Sequence, residues 1–264
     1  MKTDFRYDLP DELNVTSEGG VRVVTLNRPQ ELNAANHALH LGLSRVWDQL
    51  SSDPDARAVL LTGSGRAFSA GGDFGYMQEN IDNPEVRERT MREGRRIVEG
   101  IVRCPLPVVA ALNGPAVGLG CSLAVLSDIL LMSDRSFLAD PHLQMGLVPG
   151  DGGMAWPLIV GLSRAKQYLL LGERILPEQA VQFGLASRVV ASGELESEAL
   201  ALTHRLAAMP AKAVQDTKKA LNSYIELHLE GAFAAGFAGE LDSMASAQHA
   251  DAVSRARSRS AARQ

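Results

Sequence analysis

Val108-Val109-Ala110-Ala111-Leu112-Asn113-Gly114-Pro115-Ala116-Val117-Gly118-Leu119-Gly120-Cys121-Ser122 reads as a buried strand, a glycine-rich turn and the start of a helix. Five apolar residues in a row suit a strand covered on both faces. Asn113-Gly114-Pro115 ends it, and Gly118-Leu119-Gly120 opens a short helix that runs to about Leu126. A second stretch has the same design. The strand Ala58–Thr62 ends at Gly63-Ser64-Gly65 and leads into Ala67-Phe68-Ser69-Ala70-Gly71-Gly72-Asp73, too glycine-rich for a helix and too apolar for a surface loop. Backbone N–H groups left free at such turns, beside a helix N-terminus, attract negative charge. Two such turns converging would form an oxyanion hole. The same glycines serve equally well if they only permit tight packing.

Outward from these stretches, Leu13–Ser17 and Val21–Leu26 flank Glu18-Gly19-Gly20 as a hairpin. From Asn36 to Leu50, Leu39, Leu43, Val46, Trp47 and Leu50 fall on one helical face with His40 at its edge. Asp73–Pro84 is polar and is expected to be irregular and mobile. A charged helix follows from about Glu85 to Arg103, stopped by Pro105 and Pro107. Two short strands, Ile129–Met132 and Ser136–Ala139, precede a second unusual loop, Asp140-Pro141-His142 to Gly150-Asp151-Gly152-Gly153. Everything after about Leu195 reads as helix. Strands and helices alternate up to that point, so the class is α/β with a helical C-terminal part.

The chain has 264 residues, 45% hydrophobic and 22% charged, enough to bury a large core without disulfides or metal. Its net charge of −5 gives no reason to expect nucleic-acid binding. The Arg-rich end (Arg255, Arg257, Arg259, Arg263) reads as a solvated helix end rather than an anionic docking tail. Cys104 and Cys121 have no metal-ligand spacing, and no other metal pattern is evident. Met1 to Pro10 carries Asp4, Arg6 and Asp8 without an apolar run, unlike a signal peptide. No apolar run approaches the ~20 residues of a membrane span. The expectation is a soluble cytoplasmic protein.

Five pieces in order resemble the crotonase superfamily, the enoyl-CoA hydratase/isomerase group, over roughly residues 13–260. They are Leu26-Asn27-Arg28-Pro29 with Asn33-Ala34, Ala67–Asp73, Pro107–Gly114, Gly118-Leu119-Gly120-Cys121, and Gly146-Leu147-Val148-Pro149 with Gly152-Gly153. The resemblance implies a crotonase-like spiral of ββα units over 1–194 and a C-terminal helical oligomerisation region over 195–264, assembled as a homotrimer or hexamer. It implies an acyl-CoA thioester as substrate, with coenzyme A part of the substrate and no separate cofactor. The thioester oxygen would be held by the backbone N–H groups of Ser69 and Leu119. Arg28, Ala34, Ala70, Gly71 and Gly72 would contact CoA.

The departures concern the acid/base groups. The two glutamates of the hydratases fall, by this resemblance, at Ser122 and His142. His142 suits a general base, since an imidazole titrates near working pH. Asp151, nine residues on, is placed to orient it as in a triad, and Ser122 to position water. A turn-capping histidine and a helix N-cap aspartate are the plainer readings. The loop around His142 and Asp151 also resembles the β-diketone hydrolases such as 6-oxocamphor hydrolase, in which His40 and Glu240 fall near a histidine and a glutamate. The intact Gly118-Leu119-Gly120 favours a thioester instead. As a helix-edge histidine and an exposed helical carboxylate, His40 and Glu240 need no such role. His37, His204, His228 and His249 read as surface or packing residues.

Three readings remain open. One is an enoyl-CoA hydratase/isomerase-type enzyme with His142 in place of glutamate. Another is a retro-Claisen C–C hydrolase of a 1,3-dicarbonyl using a His142–Asp151 dyad. The third is an acyl-CoA binding protein without catalysis. A serine-hydrolase elbow at Gly120-Cys121-Ser122-Leu123-Ala124 lacks its last glycine, and Gly118-Leu119-Gly120 lacks the third glycine of a dinucleotide site.

Overall fold

The computed structural model describes residues 5–261; Asp4 and Arg263 lie outside the described residues. In chain order the strands are β1 (Leu13–Glu18), β2 (Val21–Leu26), β3 (Ala58–Gly63), β4 (Val108–Leu112), β5 (Ala116–Val117), β6 (Ile129–Ser133), β7 (Leu138–Ala139) and β8 (Arg188–Val190). The first seven helices are α1 (His37–Ser52), α2 (Phe74–Asp82), α3 (Pro84–Arg103), α4 (Leu119–Leu126), α5 (Trp156–Val160), α6 (Leu162–Leu171) and α7 (Pro177–Phe183). Then come α8 (Leu195–Ala207), α9 (Ala211–His228), α10 (Ala234–Met244) and α11 (Ala247–Ala261).

The main sheet has the order β1-β2-β3-β4-β6-β8. β1 and β2 are the expected antiparallel hairpin, and every later pairing in the sheet is parallel. All of Val108–Leu112 is buried, as its unbroken apolar run requires. Val59, Leu61, Val108, Ala110 and Leu112 face the core under α1 and α3. Leu60, Val109, Ala111 and Leu131 face the other way, where Leu195 and Ala199 of α8 cover them. The first helix of the C-terminal region therefore shares a core with the sheet.

α1 starts where Asn36 accepts the Leu39 N–H at 2.9 Å, a side-chain N-cap. Its apolar face crosses α3 at Trp47 and Gly100. A Cβ on Gly100 would come within 2.7 Å of the Trp47 ring, so glycine sets that approach.

The stretch expected to be irregular is a helix. Asp73 accepts the Gly75 and Tyr76 N–H groups at its start, and Asn83 caps α3 in the same way just beyond its end. Tyr76 and Asn80, one turn apart, are buried against α3. Their polar atoms find partners there, so two residues that look solvent-facing in sequence become an inward face.

Glycine turns follow β3 and β4 at their carboxyl ends, where parallel sheets place their ligands. α10 packs on α3, and α11 packs on α2 and the turn His142–Met145, so the last two helices roof that end. Among the described residues no helix is long and apolar enough to cross a membrane.

Candidate active site

The two glycine turns are joined to each other. Ser69 pairs with Ala116, and the Val117 N–H donates to the Ser69 carbonyl at 2.9 Å. Gly120 lies against Ser69, where a Cβ would stand 2.6 Å from the serine Cβ. Gly118 has φ +51°, a left-handed conformation that favours glycine. The turns open on a cavity of about 240 Å³ that Gly71, Gly72, Gly118 and Leu119 help to line. Pockets that bury a drug-sized ligand usually span ~300–1,000 Å³, so this one suits an acyl group more than a whole CoA thioester.

Ser69 is not available for the role expected of it. Its N–H donates to the Pro115 carbonyl at 3.0 Å, and the residue is buried behind the cavity wall. Of the residues of that turn that face the cavity, Ala70 donates to the Leu32 carbonyl and Gly71 to the Ser69 hydroxyl, and the Gly72 N–H has no partner among the described residues. Leu119 is the first residue of α4, where an N–H has no acceptor within the helix. Two open donors thus border one cavity, at Gly72 and Leu119.

Beside them stands a cluster of one imidazole and three carboxyls. His142 opens a short turn after β7, and its Nδ1 is hydrogen-bonded to Asp140, two residues back. Its Nε2 lies 3.9 Å from Oε1 of Glu240 on α10. Asp151 lines the same cavity, with a donor atom within 4.8 Å of those of Asp140 and His142. The orienting partner of His142 is therefore Asp140 and not Asp151. With one residue between them, Asp140 reaches Nδ1 within a single turn. Ser122 does not line the cavity. Its hydroxyl accepts the Gly152 N–H at 3.1 Å, lies 3.2 Å from the Gly118 carbonyl and also bonds Asp151. Buried and so engaged, it ties the Asp151 turn to the Gly118 turn and has no face left to position water.

The cluster holds its protons tightly. Burial alone would lower the His142 pKa, but the charges of Asp140, Asp151 and Glu240 and the Asp140 bond hold it well above the usual imidazole range. Burial pushes Glu240 up to about 8, with Asp151 and Asp140 adding to the rise. Asp151 is likewise raised, mainly by burial. This direction favours the imidazolium form of His142, whereas the sequence reading made it a base. One Asp140 oxygen and one Asp151 oxygen are buried without partners. Asp140, His142 and Asp151 form a donor set of the kind that takes a cation, but the direct bond between His142 and Asp140 engages two of its donors with each other.

A second histidine–carboxylate pair meets the cavity through its histidine alone. His40 of α1 is buried, with Nδ1 2.9 Å from Oε2 of Glu93 on α3. Burial works to raise Glu93. The His40 bond and the charges of His40, His37 and Arg89 more than offset it, so its pKa is lowered. His37 and Arg89 stand 3.7 Å and 3.9 Å from Glu93 Oε1. Tyr76 and Thr90 share a hydrogen bond, and Thr90 donates to Asn80 at 2.7 Å. Between the two polar poles the wall is apolar, built from Phe74, Met77, Met91, Leu147, Phe237 and Met244.

Of the residues expected to contact CoA, Ala70, Gly71 and Gly72 line the cavity. Arg28 and Ala34 do not. The Arg28 guanidinium donates to the Ala34 carbonyl and pairs with Asp73 at 3.2 Å, which fastens the segment after β2 to the Gly72 turn.

Residues 16–258 match the enoyl-CoA hydratase/isomerase family. The chain belongs to that family. It is 32% identical to the short-chain-enoyl-CoA hydratase of Clostridium acetobutylicum, over 84% of this chain and 87% of that one. It is 34% identical to the 1,2-epoxyphenylacetyl-CoA isomerase of Escherichia coli, over 78% of this chain and 80% of that one. A solved enoyl-CoA hydratase/isomerase from Mycobacterium paratuberculosis superposes with a TM-score of 0.92 at 45% identity, covering 94% of this chain and all of the other. The protein is an enzyme of the enoyl-CoA hydratase/isomerase type acting on acyl-CoA.

Within this family member the burial of Glu93 and Glu240 and the cavity position of His249 escaped the sequence reading. Glu93 sits in a run of charges that reads as a solvated helix, yet it is buried. Its i+4 partner Arg89 was the visible hint. Glu240 is buried in the cavity wall and not exposed on its helix. His249 also lines the cavity and donates Nδ1–H to the Met145 carbonyl at 2.7 Å; burial lowers its pKa. His204 is at the surface as expected, 3.0 Å from Glu18.

Proposed function

We propose that this enzyme adds water across the 2,3 double bond of a 2-enoyl-CoA thioester. The observation that carries the reading is the side-by-side placement of two open backbone N–H groups and a cluster containing both a proton donor and an unpartnered carboxylate oxygen. The N–H groups of Gly72 and Leu119 hold the thioester oxygen. Asp151, made more basic than an ordinary aspartate by burial, takes a proton from water. The water oxygen bonds to C3, and the double-bond electrons move onto the thioester oxygen as an enolate. The enolate returns its electrons to C2, which takes the Nε2 proton of the His142 imidazolium. Asp140 holds that ring in place. A proton passing from Asp151 back to His142 restores the enzyme.

Hydration is favoured over double-bond migration because the cluster offers separate groups to take and to give a proton. The C–C hydrolase reading is less well supported, because Asp140 holds the imidazole that its His142–Asp151 dyad requires. A homotrimer or hexamer goes with the family reading, and exposed Leu158, Leu162, Leu170 and Leu171 on α5 and α6 supply apolar surface for it.

Loss of enoyl absorbance from crotonyl-CoA tests the reaction in wild type, His142→Ala and Asp151→Asn. The expected result is turnover in wild type that falls in both variants. Turnover surviving in His142→Ala removes that residue from the mechanism. Saturable acyl-CoA binding without any wild-type turnover moves the assignment to C–C cleavage or to binding alone.

A further inference from the structure

Helix α3 carries two glycines, Gly94 and Gly100, and packing requires only one of them. Glycine inside a helix is unfavourable relative to alanine, because it gives up more backbone freedom on folding and brings no side chain to bury. Gly100 has a packing reason, since a Cβ there would come within 2.7 Å of the Trp47 ring. Gly94 has none. A Cβ on Gly94 would meet Phe237 at 3.7 Å and Nε2 of His40 at 4.0 Å, both ordinary contacts. Gly94 is buried, so the room beside it is internal, and Gly94, Phe237 and His40 all line the cavity. A side chain at this position would fill cavity.

The cavity is closed at this end and open at the other. Met91, His40 and Phe237 are buried. Gly72, Phe74, Met77, Leu119 and Pro141, around the two open N–H groups, are only half-buried. A cavity of about 240 Å³ is too small for a whole CoA thioester. With the thioester oxygen at Gly72 and Leu119, the CoA portion therefore stays on the open side. The acyl chain is the part that runs inward, along the apolar wall that includes Met91 and Phe237.

We infer that Gly94 is a specificity-determining residue: the far end of the acyl chain lies in the room beside it, and its lack of a side chain sets the longest chain that the enzyme takes. This rests on the acyl-CoA reading of the cavity, but not on the reaction performed there or on the protonation of His40. Each methylene that leaves water for the wall strengthens binding roughly fourfold, until the chain meets the closed end.

Saturated thioesters, which have no double bond to hydrate, provide the test. Acetyl-, butanoyl-, hexanoyl-, octanoyl- and decanoyl-CoA are titrated by calorimetry into wild type, Gly94→Ala and Gly94→Leu. Wild-type affinity is expected to rise roughly fourfold per methylene up to one length and no further. Gly94→Leu should bring that limit down by about two carbons and weaken the best wild-type ligand at least about tenfold, with acetyl-CoA bound as before. Gly94→Ala adds a methyl at ordinary contact distance. It should melt no lower than wild type and weaken the best ligand roughly fourfold, so it decides the matter if Gly94→Leu fails to fold. An unchanged chain-length profile in the variants that fold overturns the inference, as does an equal loss for acetyl-CoA and the best ligand. A shifted profile in a protein that does not hydrate crotonyl-CoA overturns the hydration reading and leaves this one standing. Hydration of crotonyl-CoA with an unshifted profile does the reverse. Absence of saturable binding of every thioester by wild type overturns the acyl-CoA reading and this inference with it.

Discussion

Two histidines, each hydrogen-bonded to a carboxylate, line one cavity, and the charges around the two pairs differ. His142 is hydrogen-bonded to Asp140 but also feels Asp151 and Glu240, so one ring is shared among three carboxyls. His40 is hydrogen-bonded to Glu93, and the other charged neighbours of that carboxyl are His37 and Arg89. Excess negative charge raises the pKa of the first ring. At the second pair the His40 bond and nearby positive charge lower the pKa of the carboxylate instead. The lesson is that the pair alone decides little, and the sign of the charge around it decides the chemistry.

The largest expected effect breaks the first pair. His142→Ala should lower crotonyl-CoA turnover by about 10²–10⁴, the usual worth of positioned proton transfer. Asp140→Asn keeps the ring in place but removes a charge that raises its pKa. Activity that depends on the imidazolium is lost as pH rises through that pKa, so in Asp140→Asn the alkaline limb of the pH–rate profile should begin at lower pH. A limb that does not move would show that Asp140 does not tune His142.

Glu93→Gln breaks the second pair without changing its shape. It should destabilise the fold by about 1–3 kcal/mol, measured by urea denaturation. The sign with pH follows from the lowered pKa of Glu93. Its stabilisation is present above the ordinary carboxyl range and lost as pH falls through the folded value, so wild type and Glu93→Gln should converge in acid.

Glu240 predicts the reverse slope. Its pKa is about 8 folded, against an ordinary 4.5, so between those limits the folded state holds the extra proton. Stability contributed by this site falls as pH rises toward 8, since the unfolded chain can ionise freely and the folded one cannot. Glu240→Gln keeps an acceptor for the Gly150 N–H, which Glu240 bonds at 3.2 Å. Its melting temperature relative to wild type should climb by about 2–4 °C per kcal/mol recovered between pH 5 and pH 8. The smallest effect belongs to the exposed pair His204–Glu18, 3.0 Å apart at the surface. His204→Ala should change stability by less than about 1 kcal/mol and leave turnover untouched.

Much of the scaffold was legible. The unbroken apolar run Val108–Leu112, the alternation of strands with helices and the two glycine turns carry strong local signals, because backbone geometry and burial act within a few residues. Gly118 and Gly120 were recognisable as close-approach positions for the same reason. Which N–H groups stay open was not legible. Ser69 and Gly72 lie three residues apart in one turn, and only the pairing with Pro115 and Ala116 shows that the Ser69 N–H is consumed.

The sequence by itself determined the α/β class and the presence of two glycine turns, each after a buried strand, since these follow from periodicity and turn chemistry along the chain. His142 could also be singled out, because the glutamate its position would carry in the hydratases is missing. Tertiary structure alone decided the company each titratable group keeps. Glu93 and Glu240 lie 147 residues apart, and nothing in their own neighbourhoods marks either as buried. Asp140 and Asp151 divide the partners of His142 and Ser122 by the path of a loop, and Asp73–Pro84 turns inward only because α3 is there to receive Tyr76 and Asn80. Electrostatic energy depends on distance through space and on exclusion of water, and neither quantity is written along the chain.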